Sequence, residues 1–252
     1  MAAAALKGKT ALVTGAARRL GRAIALALAD AGVNVVVHYH NSEAEAETLR
    51  EELASRGVKA WRVEADFSSP AATNAFIPRI FDATGTLDFL VNSASLFLPG
   101  TLLDVTAQEL ARDMQVNVWA PFLLSREFFR RARTGKIVNL LDSRIAGQDR
   151  SHASYLFSKR AFATLTEMMA LEFAPDMAVN GVAPGLILPP QGKDQDYLNK
   201  LAKSVPLRRH GTASDVADAV LYLLGGDFVT GHVLFVDGGQ HLMENCNGQD
   251  FY

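Results

Sequence analysis

A tyrosine and a lysine four positions apart, Tyr155 and Lys159, are the residues of this sequence whose types and spacing most directly indicate chemistry. On a helix this spacing places both side chains on one face. A tyrosine hydroxyl is a weak acid with an ordinary pKa of about 10. A neighbouring ammonium favours the phenolate, so we expect Lys159 to lower the pKa of Tyr155. The pair is therefore predicted to transfer a proton to a developing anion.

Asp142 adds a carboxylate to this pair. It follows a predicted strand, Ile137–Leu141, and lies thirteen positions before Tyr155. Ligands of open α/β sheets bind at the carboxyl ends of the strands, so Asp142 is expected beside the Tyr155–Lys159 pair. There it can accept or relay a proton. The alternative is that Asp142 serves only as a turn or helix-cap residue.

A glycine-containing turn, Thr14–Gly21, follows the first predicted strand, Thr10–Val13, and opens a helix. Glycine permits a tight turn and the close approach of a pyrophosphate, and a helix N-terminus presents free N–H groups to the anion. Gly15 and Gly21 are six positions apart, so the simple G-x-G-x-x-G pattern is absent. Its place after the first strand nevertheless favours a dinucleotide site over an ordinary connection.

The end of the second predicted strand, Val33–Tyr39, indicates which dinucleotide is bound. NAD sites usually carry a carboxylate there, which binds the ribose hydroxyls and repels a 2′-phosphate. This sequence instead has His40, Asn41 and Ser42, and Arg18 in the glycine turn adds another donor. Such donors suit a phosphate, so NADPH is predicted. The alternative is that these polar residues form only a solvated turn.

The elements that must position these residues alternate between strands and helices. Strands are predicted at Thr10–Val13, Val33–Tyr39, Val58–Val63, Leu87–Val91, Ile137–Leu141, Val179–Val182 and Val233–Val236. Helices are predicted at Arg18–Ala31, Ser42–Arg56, Pro70–Ala83 and Ala213–Leu224. This order predicts an α/β fold with a single Rossmann-type, doubly wound parallel sheet flanked by helices on both faces, in one domain over residues 1–252. Segment 185–206 is predicted to be an irregular loop that covers the substrate.

Composition limits the classes of protein to which this chain can belong. Hydrophobic residues make up 49% of the 252 positions and charged residues 21%, enough for a sizeable core. The formal net charge of −2 gives no electrostatic reason to bind nucleic acid or an anionic membrane. The single cysteine, Cys246, excludes a disulfide framework and a cysteine-based metal site, and no metal is predicted. We expect a cytoplasmic protein.

Together these motifs resemble the short-chain dehydrogenase/reductase family over nearly the whole chain, from Lys9 to about Leu242. The residues that fall in family order are the glycine turn, Asp66, Asn92-Ser93-Ala94, Asn117, Tyr155 with Lys159, and Pro184-Gly185. The resemblance implies a nicotinamide-dependent redox reaction on a small-molecule substrate. It also implies a homotetramer.

The resemblance assigns roles to individual residues. Asp66 would touch the adenine, Asn92 would support the cofactor and Asn117 would hold a proton-relay water. Lys159 would bind the nicotinamide ribose and bias Tyr155, the proton donor. The full set of expected cofactor contacts is Gly15, Arg18, Arg19, Leu20, Gly21, His40, Asn41, Ser42, Asp66, Phe67, Asn92, Ser93, Ala94, Tyr155, Lys159, Pro184, Gly185 and Ile187.

Three departures from the family pattern resemble the branch of pteridine reductases and bacterial dihydromonapterin reductases. Arg19 replaces a glycine, Asp142 replaces the usual catalytic serine, with Ser143 one place away, and Ser95 ends the Asn-Asn-Ala-Gly motif. In that branch Phe97 would stack on a flat pterin and Arg19 would bridge the pyrophosphate and the pterin. Alternatively, Phe97 is a core residue. The expected substrate contacts are Ser95, Phe97, Arg19, Asp142, Tyr155 and Leu188.

The aspartate at this position also bears on the type of bond reduced. A carbonyl substrate needs a hydroxyl donor to its oxygen, which an ionised Asp142 cannot supply. The predicted substrate is therefore a dihydropteridine such as dihydrobiopterin, dihydromonapterin or dihydrofolate. Two alternatives stay open: a general ketone or 3-oxoacyl thioester reductase that uses Ser143 or Tyr155 alone, and a non-catalytic NADP(H)-binding protein.

Overall fold

Seven short apolar segments, most of them rich in β-branched residues, form the strands of one sheet in the computed structural model, which describes residues 6–190 and 192–243. The strands are β1 (Thr10–Val13), β2 (Asn34–Tyr39), β3 (Ala60–Glu64), β4 (Phe89–Asn92), β5 (Gly135–Leu140), β6 (Met177–Pro184) and β7 (Val233–Val236). All neighbouring strands are parallel, in the order β3-β2-β1-β4-β5-β6-β7.

Helices connect the strands and cover both faces of the sheet. They are α1 (Arg19–Asp30), α2 (Glu43–Ser55), α3 (Pro70–Thr84), α4 (Ala107–Met114), α5 (Ala120–Ala132), α6 (Ala153–Phe173), α7 (Gln195–Ala202), α8 (Ala213–Gly225) and α9 (Gln240–Met243). A π-helical turn, Gln115–Trp119, joins α4 to α5, and a 3₁₀ turn, Ser143–Ala146, follows β5.

The strand order confirms the expected doubly wound, Rossmann-type fold. The chain builds outward from β1 to β3, returns to the other side of β1, and builds outward again from β4. The direction of winding therefore reverses between β1 and β4, and their carboxyl ends open into the crevice where such sheets bind ligands. Strand alternation divides the core: Val35 and Val37 pack with α1 and α8, whereas Val36 packs with α3 and α5 on the opposite face.

Segment 185–206 is only partly irregular, which corrects the expectation of a loop throughout. Helix α7 begins after Asp194, whose carboxylate accepts a hydrogen bond from the Tyr197 N–H at 3.1 Å. This side-chain cap gives a short helix a defined start. Among the described residues the irregular part thus comprises 185–190, 192–194 and those after α7. Among the described residues no helix is long and apolar enough to cross a membrane, and Cys246 lies outside that part of the chain.

Candidate active site

The Asp142 carboxylate and the Tyr155 hydroxyl meet where β5 ends and α6 begins. The hydroxyl donates to Asp142 Oδ2 at 2.9 Å. Asp142 Oδ1 accepts from the backbone N–H of Arg144 at 2.8 Å, so the same side chain also caps the 3₁₀ turn. One oxygen of Asp142 therefore caps the turn and fixes the carboxylate, and the other faces Tyr155. Ser143, the alternative catalytic residue, is buried in the turn.

The pKa of the Tyr155 hydroxyl lies well above its ordinary value, which is opposite to the expected direction. Burial is the main cause, because the side chain is only 6% exposed and a phenolate there would lose its hydration. The carboxylate of Asp142 adds to the shift, since it repels a phenolate and accepts the proton of the neutral hydroxyl. Tyr155 is thus held protonated and ready to donate.

Lys159 lies on the same helix with its ammonium under the tyrosine ring. Its Nζ is 5.7 Å from the centre of the Tyr155 ring and donates to the Leu140 carbonyl at 2.8 Å. Burial lowers the pKa of Lys159 to about 8, although the Asp142 carboxylate acts in the opposite direction. The nearby ammonium does not lower the Tyr155 pKa as expected, because burial and Asp142 dominate it.

Asn117, in the π-helical turn, makes hydrogen bonds to two segments of the site. Its Oδ1 accepts from the Leu96 N–H at 2.8 Å and from the Ser95 hydroxyl at 3.1 Å. Its Nδ2 donates to the Leu96 carbonyl and to Ser158 Oγ, each at 3.0 Å. Ser158 in turn donates to the Tyr155 carbonyl at 2.7 Å. The Asn117 side chain therefore ties the segment after β4 to the catalytic helix, and Ser95 is already engaged with it.

The glycines of the turn between β1 and α1 lie where neighbouring backbone leaves no room for a side chain. A Cβ on Gly15, where φ is +64°, would lie 2.9 Å from the Ala94 Cα, and one on Gly21 would lie 2.3 Å from the Gly15 carbonyl oxygen. No side chain caps the N-terminus of α1, whereas Ser69 and Thr106 cap α3 and α4. Its first N–H groups are thus left for an anion.

The His38 side chain supports the glycine turn through hydrogen bonds, a role that the sequence analysis missed. Its Nδ1 accepts from the Gly15 N–H at 2.9 Å, and its Nε2 lies 3.1 Å from the Ala65 carbonyl. The imidazole stacks on Phe67 with 4.1 Å between ring centres, so the Phe67 side chain, an expected cofactor contact, is buried in the core. Burial lowers the pKa of His38 to about 4. The available sequence signal was a single histidine within a strand of β-branched residues, next to the strand that leads into the glycine turn.

Hydrogen bonds also fix the ends of β1 and β4. Thr14 Oγ1 accepts from the N–H groups of Ser93 and Ala94, each at 2.9 Å. The Asn92 amide donates to Asn139 Oδ1 at 2.8 Å, and its own Oδ1 has no hydrogen-bond partner among the described residues. The segment after β4 is thereby pinned beside the glycine turn, as the expected cofactor contacts require.

The side chains expected at a 2′-phosphate are exposed around the tip of β2. Arg18 donates to Glu45, so its guanidinium is already paired with a carboxylate. His40 Nε2 lies 3.9 Å from an Asp66 oxygen. Hydrogen bonds from Ser68 lower the pKa of Asp66. Two further expected contacts lie here: Asn41, which is exposed, and Ser42, which precedes α2 without a side-chain cap bond.

Phe97 lies at the rim of the site rather than in the core. Its ring is 38% exposed, meets the Tyr155 ring edge-on with 4.7 Å between centres, and stacks on His152 at 4.2 Å. The Arg144 guanidinium also lies 5.2 Å from its centre. His152 Nδ1 in turn lies 2.9 Å from an Asp149 oxygen. An aromatic surface therefore lies directly beside the Tyr155 ring.

Arg19 connects the glycine turn to the segment after β6. Its backbone has a φ of +53°, and its Nη2 donates to the Pro189 carbonyl at 2.9 Å. Leu188 is half-buried against the core, and Ile187 is buried there, so only the Ile187 backbone can face a cofactor. A Cβ on Gly185 would lie 2.5 Å from the Asp237 Cβ. The remaining expected contacts in this region are Leu20, half-buried, and Pro184, at the end of β6.

Known proteins resemble this chain over nearly its whole length. A family model described as enoyl-(acyl carrier protein) reductase matches residues 15–241. Versicolorin reductase 1 of Aspergillus parasiticus is 35% identical over 254 residues, covering 93% of this chain and 97% of that protein. The 3-oxoacyl-[acyl-carrier-protein] reductase FabG of Staphylococcus aureus is 32% identical over 242 residues, covering 93% and 98%. The FolM alternative dihydrofolate reductase 1 of Brucella canis, solved with NADP, superposes with a TM-score of 0.88 at 30% identity, covering 96% and 98%.

Proposed function

The chain belongs to the short-chain dehydrogenase/reductase family, and we propose that within it the protein is an NADPH-dependent reductase of a dihydropteridine such as dihydrobiopterin, dihydromonapterin or dihydrofolate. The cofactor is NADP(H), the ligand of the Brucella FolM structure, which this chain resembles over 96% of its length. The donors around the tip of β2 suit the 2′-phosphate of this cofactor.

The observation that carries the proposal is the hydrogen bond from the Tyr155 hydroxyl to Asp142 Oδ2 at 2.9 Å. A carbonyl oxygen that gains negative charge needs donors around it. An ionised carboxylate in that position accepts only, and its charge opposes a developing alkoxide. A C=N bond of a dihydropterin instead gains a proton at nitrogen, and a nearby carboxylate stabilises the positive charge of the protonated nitrogen.

The residues around the glycine turn fit the cofactor. The N-terminus of α1, which no described side chain caps, would hold the pyrophosphate, and Lys159 would bind the ribose next to the nicotinamide. When bound, NADPH supplies the hydride for the reduction. Arg19, at the first position of α1, would contact both the pyrophosphate and the substrate through its several donors.

The proton comes from Tyr155, whose raised pKa keeps the hydroxyl neutral at physiological pH. The O–H turns from Asp142 to the ring nitrogen of the substrate and leaves a phenolate. The Lys159 ammonium, 5.7 Å from the ring centre, stabilises that charge while it exists. The phenolate regains its proton from solvent, and the Asp142 carboxylate then accepts the restored O–H again.

The test is NADPH oxidation by the purified protein with three dihydropterins, alongside a ketone and a 3-oxoacyl thioester in the same assay. We expect turnover of a pterin. Tyr155→Phe should abolish it and leave NADPH binding intact, because the ring stays and only the proton is lost. Pterin turnover that survives in Tyr155→Phe would reject the assigned donor. Turnover of carbonyl substrates alone would reject the pterin assignment.

A second candidate function, reduction of ketones or 3-oxoacyl thioesters, is favoured by the relatives with that chemistry in their names, FabG and versicolorin reductase 1. Tyr155 would then protonate a carbonyl oxygen without help from a hydroxyl at position 142. The assay above decides between the two.

We also propose a homotetramer in the cytoplasm. The turn before α5 and the outer side of α6 expose large apolar side chains that a partner subunit could cover. They are Trp119, Phe157, Met168 and Leu171. Light scattering after size exclusion measures the assembly, and a monomer in solution would refute it.

A further inference from the structure

The segment between β5 and α6 carries a cluster of polar side chains to which the mechanism above assigns no role. The cluster consists of Arg144, Asp149 and His152. Two of its members contact the ring of Phe97. The His152 imidazole stacks on that ring, with 4.2 Å between centres and 14° between planes. The Arg144 guanidinium lies 5.2 Å from the ring centre.

The Asp149 carboxylate holds the imidazole in one orientation. Its Oδ1 accepts from the Ser151 N–H at 2.7 Å, and its Oδ2 lies 2.9 Å from His152 Nδ1 and 3.2 Å from Arg144 Nη1. Burial raises the pKa of Asp149, but these three neighbours outweigh it, so the pKa lies below its ordinary value. An ionised carboxylate only accepts hydrogen bonds, so Nδ1 of the imidazole carries the proton between them.

The backbone on both sides of Phe97 is also fixed. The Gly100 N–H donates to the Ser151 carbonyl at 2.7 Å, and the Gly100 carbonyl accepts from the Ala153 N–H at 2.9 Å. On the other side, the backbone of Leu96 is bonded at both its N–H and its carbonyl by the amide in the π-helical turn. The freedom that remains to Phe97 is therefore mainly that of its side-chain torsions.

Those torsions decide where the Phe97 ring lies relative to Tyr155. Exposed side chains change rotamer within picoseconds to nanoseconds, and the Phe97 side chain is 38% exposed. The His152 imidazole covers one face of the ring, and the Tyr155 ring meets it at 83°. A flat substrate that stacks on the exposed part of the ring takes its orientation from it. A displacement of about 1 Å between reacting groups can lower a rate about 10²-fold.

We propose that His152, held by Asp149, is a positioning residue whose imidazole fixes the plane of the Phe97 ring and, through it, the plane in which a flat substrate ring meets Tyr155. The inference rests on the proposed function for the identity of that ring, a dihydropterin. It adds the residues that orient the ring. His152 acts through Phe97, and Asp149 acts through His152.

The test compares two substitutions of one residue. His152→Phe keeps a flat ring but has no N–H for Asp149, whereas His152→Gln keeps a side-chain N–H but has no ring. With 6-methyl-7,8-dihydropterin, kcat/KM should fall about tenfold in His152→Gln, as expected for loss of an aromatic stack, and less than twofold in His152→Phe. The KM for NADPH should not change in either variant.

The opposite order, with His152→Phe low and His152→Gln near the unmodified enzyme, would show that the hydrogen bond matters and not the ring. It would overturn the proposal, and so would equal kcat/KM in all three proteins. The control is His232→Gln, an exposed change at the amino end of β7, which should have no effect.

A double-mutant cycle separates positioning from a structural role. In a Phe97→Leu background, His152→Gln should change kcat/KM less than twofold, because the ring that His152 orients is absent. A general loss of stability, followed by Tm, would not depend on the residue at position 97. The same tenfold loss in both backgrounds would show that His152 acts without Phe97 and would overturn the proposal.

A second cycle tests Asp149. Asp149→Ala should lower kcat/KM about fivefold in the unmodified enzyme and have no effect in His152→Phe, which has no N–H for the carboxylate to hold. Equal losses in the two proteins would overturn the role of Asp149.

The choice of substrate separates this inference from the proposed function. Dihydropterin turnover that His152→Gln does not alter would leave the proposed function standing and overturn the inference. If ketones alone are reduced, the proposed function fails, and His152→Gln should then slow acetophenone, which has a flat ring, but not 2-octanone. Equal losses for the two ketones would overturn the inference as well. If nothing is turned over, the NADP⁺-bound enzyme is titrated with 6-methylpterin; the same order of variants would support the inference, and absence of binding would overturn both.

Discussion

Two parts of the candidate site, here called corners, hold similar charged groups, but one corner is buried and the other is exposed to solvent. The catalytic corner consists of Asp142, Tyr155 and Lys159, and the phosphate corner consists of Arg18, His40 and Glu45. In the catalytic corner Tyr155 and Lys159 are almost fully buried, and their pKa values are shifted by burial first. In the phosphate corner the side chains are about half exposed, and their charges meet in pairs at the surface.

The difference in burial predicts where a substitution should have a large effect on rate or stability. A buried charge or proton has only the partners that the fold provides, so loss of one partner is felt in full. An exposed pair is screened by water and salt and contributes little. Substitutions in and around the buried corner should therefore change rate or stability by large factors, whereas substitutions in the exposed corner should adjust affinity.

After the loss of the Tyr155 hydroxyl itself, the largest effect is expected for Asp142→Asn. Asparagine keeps the shape and can still accept from the Arg144 N–H, but it removes the negative charge next to the Tyr155 hydroxyl. Loss of an acid–base partner typically lowers rates by about 10²–10⁴-fold. We expect kcat for a dihydropterin to fall within that range, measured by NADPH oxidation at saturating substrate.

Ser143→Ala serves as the comparison for Asp142, because it removes the neighbouring hydroxyl in the same 3₁₀ turn. A larger loss in Ser143→Ala than in Asp142→Asn would mean that the carboxylate is not the working group. That result would favour the carbonyl reductase function. It would also favour the view that the two corners tolerate substitutions equally.

The next effect concerns His38, whose pKa is lowered to about 4 by burial. The unfolded chain binds a proton on histidine below about pH 6.5, whereas the folded protein does so only near pH 4. Stability is therefore complete above pH 6.5 and falls as the pH falls towards 4. The loss from this group should reach about 3 kcal/mol, measured by urea unfolding between pH 7 and pH 4.5.

Carboxylates also titrate in this range, so the measurement is repeated with His38→Gln. This variant should be less stable at pH 7, because the Gly15 N–H loses its acceptor, and its stability should fall less steeply with acid. Parallel pH profiles for the two proteins would show that His38 carries no burial penalty.

A smaller effect is expected on the pH dependence of catalysis. Burial lowers the pKa of Lys159 to about 8, so the ammonium is lost as the pH rises through that value. The phenolate of Tyr155 then loses its nearby positive charge. We expect kcat/KM to decrease about tenfold per pH unit above pH 8. Lys159→Arg, although slower, should lack this decrease because arginine keeps its charge; a decrease in both proteins would assign it elsewhere.

The smallest effect is expected in the phosphate corner. Glu45→Gln releases the guanidinium of Arg18 from its carboxylate. We expect the KM for NADPH to fall by about two- to fivefold at low ionic strength and the effect to vanish at high salt. Glu51→Gln, an exposed change on the same helix, is the control. An equal change in the KM for NADH would show that Arg18 does not meet the 2′-phosphate.

The fold was largely predictable because its strands are short apolar runs bounded by turn residues. β1 and β7 begin and end where the pattern placed them, at Thr10–Val13 and Val233–Val236. Helices α4 and α5 were missed, although α4 carries its polar and apolar residues on opposite faces. The capping box of Thr106 and Glu109 was a readable signal for the start of α4.

The positions of the site residues could be predicted where they depend on sequence spacing. Properties of the site that depend on burial could not be predicted. The meeting of Asp142 and Tyr155 follows from a strand end and a helix start, and the structure contains it at 2.9 Å. The direction of the Tyr155 pKa did not follow, because the sequence does not show how much water reaches the ring. The stacking of His152 on Phe97 likewise exists only once α6 is packed beside the segment after β4.

A chain of buried amides and a hydroxyl constrains how the molecule can move. Asn92 on β4 donates to Asn139 on β5, which donates to Thr166 on α6 at 2.9 Å, and Thr166 donates to the Phe162 carbonyl. A slip of α6 along the sheet would break the Asn139–Thr166 hydrogen bond, which couples the helix to β5 and, through Asn92, to β4. Their backbone amides should exchange with deuterium only through global unfolding, whereas those of segment 186–190 should exchange by local opening.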